Sequence, residues 1–198
     1  MINKNLLKKI ASELKAFQKE RGFIINKSRE ILQAAKESIF AAHGHDLVKS
    51  SASLTRAEKV LTELSKSYDK GNRLRLEGSY KAAVEEYVEA KLFNQLMSGK
   101  KIEAIKFGSI GPEEYIGGMA DLTGELVRQA VLQSTKGNYK NIKIYHSLSQ
   151  EVVGFMLKLY ITGYSRQKFD EAKRNLKRLE GILYDISIRN LDKLDNAN

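Results

Sequence analysis

Apolar positions along this chain recur every three or four residues in long runs. They nowhere alternate in the period-two pattern of a strand bounded by glycine or Asn-Gly turns, so every element the pattern predicts is a helix. The first spans residues 2 to about 42, with Leu6, Leu7, Ile10, Leu14, Phe17, Ile24, Ile31, Leu32 and Ile39 among its spaced positions. It is long for a helix of a globular domain, so its first half is expected to stand exposed as a contact arm for a second subunit. H-G-H-D at 43–46 stops it and starts the next, with Gly44 suited to a left-handed C-terminal position and Asp46 to an N-cap. A second helix follows from Leu47 to about Asp69, with a stripe through Leu54, Ala57, Val60, Leu61 and Leu64. K-G-N at 70–72 is a turn, and a central helix runs from Ser79 to Met97. Residues 102–110 read as a short helix or connector. Pro112, with Gly111 before it and Glu113 and Glu114 just inside, opens a helix that continues to about Lys136. Residues 139–163 give another, whose Val152, Val153, Phe155, Met156, Leu157, Leu159 and Tyr160 predict burial. The last follows Gly163 and runs to about Asp192, leaving a frayed tail at 193–198. The expected fold is all-α: one domain over 1–198, an antiparallel bundle of six to seven helices.

The central helix carries an anomaly. On a wheel of about 100° per residue, Glu86 shares an arc with Ala82, Ala90, Phe93 and Met97, and Glu89 lies roughly 60° round on the same side, while Lys81, Lys91 and Gln95 lie opposite. Two carboxylates in a core-like arc demand a cation or a wet cavity, because an unpaired buried charge is costly. The plain alternative is a solvated glutamate pair. On the helix after Pro112, Asp121 and Glu125 stack at i and i+4 and share a face with Glu114, Gly117, Arg128 and Leu132. Like charges repel at this spacing, and a shared cation reverses the sign. Gly117, Gly118 and Gly124 each cost a helix interior about 1 kcal/mol relative to Ala, which predicts close approach of a neighbouring helix or a ligand. Arg29 and Lys36 likewise fall in the apolar arc of the first helix with Ile25, Leu32, Phe40 and His43, as phosphate contacts or as snorkelling side chains.

Composition narrows the chemistry. The 198 residues contain no Cys and no Trp, which removes disulfides, thiolate metal sites and thiol nucleophiles. No run of 18 apolar residues and no apolar leader is present, so the expectation is a cytoplasmic protein without a membrane partner. The net charge of +10 is uneven: residues 1–42 carry nine Lys and Arg against four acids and 136–198 twelve against seven, whereas 43–135 balance at thirteen each. A neutral centre that holds the carboxylates between two basic flanks suits a protein that draws in a polyanion. His43 and His45 are close enough to share a transition metal, but no third ligand is in view in the sequence.

Four segments, E-Y-V-E-A at 86–90, Y-I-G-G-M-A-D-L-T-G-E-L at 115–126, S-R-E-I-L-Q-A-A-K-E-S-I-F at 28–40 and L-K-R-L-E-G-I-L-Y-D-I-S-I-R at 176–189, together resemble the translin family, and within it the catalytic branch of translin-associated factor X. The resemblance covers most of the chain from about Lys19. It implies a six- or seven-helix subunit in a hollow oligomer that cuts single-stranded RNA on its inside in a Mg²⁺-dependent reaction. The family's acidic metal positions fall on Glu86, Glu89 and Asp121, with Glu125 as a further carboxylate, and its active-site lysine on Lys36. Hard oxygen ligands of this kind suit Mg²⁺ or Mn²⁺, and the implied chemistry is in-line attack of an activated water on phosphorus. Lys36, Arg29 and Arg128 are the candidate phosphate contacts, and Arg73 and Arg75 loosely match the family's basic segment. In higher organisms the enzyme works beside translin, so a lone chain is expected to form a homo-oligomer, hexamer to octamer, with single-stranded DNA as a second ligand. The competing readings are a translin-like protein that binds single-stranded RNA or DNA without cutting it, and a purely structural helical oligomer. A di-iron bundle would need Glu-x-x-His pairs, which neither acidic helix has.

Overall fold

The computed structural model describes residues 2–68, 73–105 and 110–189. The turn expected at 70–72, part of the connector at 102–110 and the tail at 193–198 lie outside the described residues. Within them the chain forms six α-helices: α1 Lys4–His43, α2 Leu47–Tyr68, α3 Gly78–Met97, α4 Pro112–Thr135, α5 Lys140–Leu157 and α6 Gly163–Ile188. A single 3₁₀ turn, Leu74–Leu76, precedes α3, and no strand occurs among the described residues. Residues 102–105 are not helical. None of the described helices is long and apolar enough to cross a membrane.

Two groups of three helices meet along α3 and α4. The second half of α1 packs on α2 and α3, while α4 packs on α5 and α6, and α3 lies against α4. The first group is close-packed because small residues line it: Ala34, Ala35, Ser38 and Ala42 of α1 are buried, as are Ser50, Ser53 and Ala57 of α2. The two hydroxyls Ser38 and Ser50 bond across the α1–α2 seam at 2.8 Å, and Asn94 of α3 donates to Ser50 at 2.8 Å. These bonds satisfy polar groups that burial would otherwise penalise. The principal core then runs from Ile24 and Ile31 through Leu61, Tyr87 and Phe93 to Leu126 and Ile142.

The α1–α2 corner differs in detail from expectation. Asp46 caps α2 as predicted, accepting from the Lys49 amide at 3.0 Å. The left-handed residue is His45, at φ 60°, while Gly44 keeps φ −80°. A Cβ at Gly44 would make only an ordinary contact with Ala41, so the corner does not depend on glycine there. Helix α5 ends at Leu157, six residues short of the predicted end. Only Val152 and Met156 of its apolar run are buried, whereas Phe155, Leu157 and Tyr160 face outward. An apolar run without an apolar stripe signals hydrophobicity but not a buried face.

The α4 glycines resolve into two kinds. A Cβ on Gly118 would stand 2.7 Å from the Glu85 carbonyl oxygen and 2.7 Å from Val88, and one on Gly117 would overlap the Glu85 side chain. These two glycines let α4 press against α3. A Cβ on Gly124 meets only Asn175 at 3.6 Å. Gly118→Ala is therefore expected to destabilise the fold by about 1–3 kcal/mol through overpacking, and Gly124→Ala to be neutral or stabilising by up to about 1 kcal/mol. Urea unfolding of the two variants checks the contrast.

Candidate active site

The crossing of α3 and α4 brings carboxylates of both helices together. Glu86 and Glu89 lie on α3, Asp121 and Glu125 on α4, one turn apart in each case. Glu89 is buried, and Glu86, Asp121 and Glu125 are each partly exposed at the rim. Burial pushes the Glu89 carboxyl up to about 9, and the charges of Asp121, Glu86 and Glu125 push in the same direction. Glu86 is raised by burial and by Glu125, against the pull of Lys36. Four acids from two helices thus share one electrostatic environment. Among the described residues, however, no three carboxylate or imidazole side chains already close on a point as a ligand cage.

Lys168 explains part of that arrangement. Its ammonium, carried by α6, donates to both Asp121 oxygens at 2.7 and 2.6 Å and lies 2.7 Å from Glu85 Oε1. Burial works against its charge, yet the bonds to Asp121 and Glu85 outweigh burial and hold it protonated. Asp121 is nevertheless raised to about 6, because its own burial exceeds what Lys168 returns. The Tyr164 hydroxyl donates to the same Glu85 oxygen at 2.6 Å. Glu85, Lys168 and Tyr164 thus extend the acidic cluster toward α6.

A buried chain of hydrogen bonds supports Glu125 from the other side. Gln133 donates to Gln129 Oε1 at 3.4 Å, and Gln129 Nε2 lies 2.8 Å from His43 Nδ1. With an amide N–H directed at it, Nδ1 is the acceptor, so Nε2 carries the proton that His43 directs at Glu125 Oε2. The His43 ring also packs on Phe93, with centroids 4.7 Å apart. This bond fixes the rotamer of an acid at the rim.

The predicted basic residues separate. Lys36 is exposed on α1, and its charge reaches Glu86. Arg128 pairs with Glu125 at 3.6 Å. Arg29 is exposed two turns before Lys36, with no ion pair among the described residues. Arg73 points elsewhere: it bonds Glu77 at 2.9 Å, a carboxylate also held by Arg21, and covers the Phe17 ring at 4.3 Å. Arg75 is exposed beside Gly111 and Glu114. Glu85, Lys168, Tyr164 and His43 are site residues that the spacing did not single out. One signal was available for His43, which continues the line of Arg29 and Lys36 at seven-residue steps.

The chain is similar in sequence and in fold to known proteins. The match to Translin from Gallus gallus is 34% identical over 82 residues, 41% of this chain and 36% of that protein. The chain thus spans about a third of the length of the translins it matches. Translin-associated protein X homolog from Schizosaccharomyces pombe is 25% identical over 197 residues, covering 89% of this chain and 84% of that one. Among solved structures, apo-NeC3PO superimposes with a TM-score of 0.80 at 16% identity, over 93% of this chain and 97% of that one. AfC3PO in complex with duplex RNA superimposes with a TM-score of 0.78 at 21% identity, over 94% and 97%. Both likenesses establish the bundle. The Translin family model matches residues 19–190, a span that holds every acid and base of the site, and the chain belongs to the Translin family.

Proposed function

We propose that the protein is a divalent-metal-dependent endoribonuclease acting on single-stranded RNA within an oligomeric assembly. The observation that carries this reading is that Glu86, Glu89, Asp121 and Glu125 of two helices act on one another, Glu89 being pushed to about 9 by burial first and by the other three acids in addition. The donor set is all oxygen, and the acids' mutual repulsion at Glu89, which outlasts the cations paired with Asp121 and Glu125, is the condition that a hard dication relieves. Mg²⁺ or Mn²⁺ held by these acids would neutralise charge on a phosphodiester and make a water more acidic. Lys36 and Arg128 flank the acids and would hold the phosphate, with Arg29 extending the track along α1. Binding through backbone phosphates predicts little base preference and strong salt dependence. Similarity to the translin-associated protein X homolog along nearly the whole chain supports the catalytic branch over translin itself.

A second reading has its own observation. Lys168 already neutralises Asp121 and Glu85, the arrangement of a site that binds RNA without cutting it. Cleavage of an end-labelled single-stranded RNA in Mg²⁺, with a duplex of the same sequence in parallel, separates the two. Wild-type cleavage lost in Asp121→Ala with binding retained supports the nuclease. Equal rates in both proteins, or binding without cleavage in the wild type, discard it.

A further inference from the structure

The line of α1 that runs past the acids carries a bare aromatic ring. Arg29, Lys36, Phe40 and His43 share an arc of about 60° on the helix wheel. The His43 ring reaches Glu125 and packs on Phe93, and the Lys36 charge acts on Glu86. Phe40 stands between them, about 6 Å along the axis from Lys36 and about 4.5 Å from His43. With Lys36 acting on Glu86 and His43 seated on Phe93, the level between them on α3 is that of Glu89 and Ala90. Phe40 is nevertheless 71% exposed, the most exposed phenylalanine among the described residues. Phe17 lies under Arg73, Phe23 against Tyr68, Phe93 against His43 and Phe169 under Lys173, whereas Phe40 has no ring or cation partner among the described residues. A lone apolar side chain is ordinary on a protein surface. What sets Phe40 apart is its place, raised between a lysine and an acid cluster.

We infer that Phe40 is the surface on which an unpaired base of the bound RNA strand stacks, while Lys36 and Arg29 on the same line of α1 take its phosphates. A strand that enters the site brings bases as well as charge, and neither an ammonium nor a carboxylate offers a base an apolar face to lie on. Every base presents a π-face to a ring, so stacking here adds affinity without reading sequence. It does read strandedness. A base inside a duplex is already stacked and paired, and laying it on Phe40 would cost that pairing, whereas a single strand offers its bases freely. Cations for the backbone beside a ring for the base are the two parts of a single-strand groove, and the exposure that would be a cost in a core residue is what such a ring requires. The inference rests on the reading that RNA lies along the acids, and it assigns to that reading a positioning residue that selects the strand. No step of the cleavage passes through Phe40.

Two probes of equal charge separate stacking from phosphate binding: a fluorescein-labelled oligouridylate, and a strand of the same length whose residues are all abasic. Affinities are measured by fluorescence anisotropy at low salt, with and without Mg²⁺. Phe40→Ala is expected to weaken the oligouridylate about tenfold, the size of one base–aromatic stack, and to leave the abasic strand within about twofold. Phe40→Trp keeps a stacking face and is expected to bind the oligouridylate as the wild type does. Because the ring is exposed, the Tm of Phe40→Ala and its mass by light scattering are expected to stay unchanged. Equal losses on both strands, or no loss on either, overturn the stacking role and leave the RNA reading standing. A fall in mass would assign the ring to a contact between subunits and overturns the stacking role as well. Failure of the wild type to bind either strand, with or without Mg²⁺, overturns the RNA reading itself and this inference with it.

Discussion

Glu89→Gln is expected to abolish RNA cleavage while making the protein harder to unfold at pH 8. The two effects have one origin. Glu89 sits buried among three other acids, which raises its carboxyl from 4.5 to about 9. Between those values the folded protein keeps a proton that the unfolded chain has released. Stability contributed by the protonated carboxyl is complete below about 4.5 and is lost progressively as pH rises toward 9. Glutamine mimics the protonated acid and does not titrate, so the variant escapes the loss. The advantage should grow from about pH 5 and reach on the order of 2 kcal/mol at pH 8, roughly a 5 °C rise in Tm for a chain of this size. Thermal melts in metal-free buffer at pH 5 and pH 8 measure it. The same substitution removes a charged ligand and is expected to lower cleavage by on the order of 10²-fold or more. In the wild type a cation must displace the Glu89 proton, so apparent Mg²⁺ affinity should rise with pH up to about 9. Strongly perturbed acids cluster at functional sites, which makes Glu89 the residue to test first.

Part of this site was legible in the amino-acid order and part was not, for a physical reason. Helical spacing fixes which residues share a face, so Glu86 with Glu89 and Asp121 with Glu125 were visible as anomalies. The cost of consecutive glycines inside a helix was visible too, and Gly117 and Gly118 do admit α3. Spacing says nothing about which face of which helix stands opposite. Glu85 reads as the flank of the Glu86 arc, yet α4 approaches on that side and buries it. Lys168 reads as one of six basic residues on α6, and only the packing of α6 on α4 turns it into the counter-charge of Asp121. His43 reads as the end of a helix, and it becomes a support for Glu125 because α1 ends beside α4. The α1 arm is the converse case. Its stripe was legible throughout, and among the described residues no other helix covers it.

Lys168→Met asks whether the place of that ammonium is a cation site in the broader sense. Methionine keeps the length and apolar stem but leaves Asp121 and Glu85 facing one another uncompensated. Removing one partner of a buried ion pair typically costs about 3–5 kcal/mol; with Asp121 at 22% side-chain exposure, water screens part of this, and about 2–4 kcal/mol is expected near pH 8. The sign of the pH dependence follows from Asp121. Already raised to about 6 by burial, it rises further without Lys168, so the variant's deficit should shrink as pH falls from 8 toward about 6 and stay level below that, where both proteins hold the proton. Magnesium then separates the two functional readings. If the acids of α3 and α4 are metal ligands, a dication takes over the neutralising role, and millimolar Mg²⁺ should return at least half of the lost Tm in the variant while shifting the wild type by less. If Lys168 is instead the permanent counter-ion of an RNA-binding surface, the variant stays destabilised in Mg²⁺, and only acid restores it. The measurement requires no RNA, so it tests the chemistry of the acids independently of substrate and assembly.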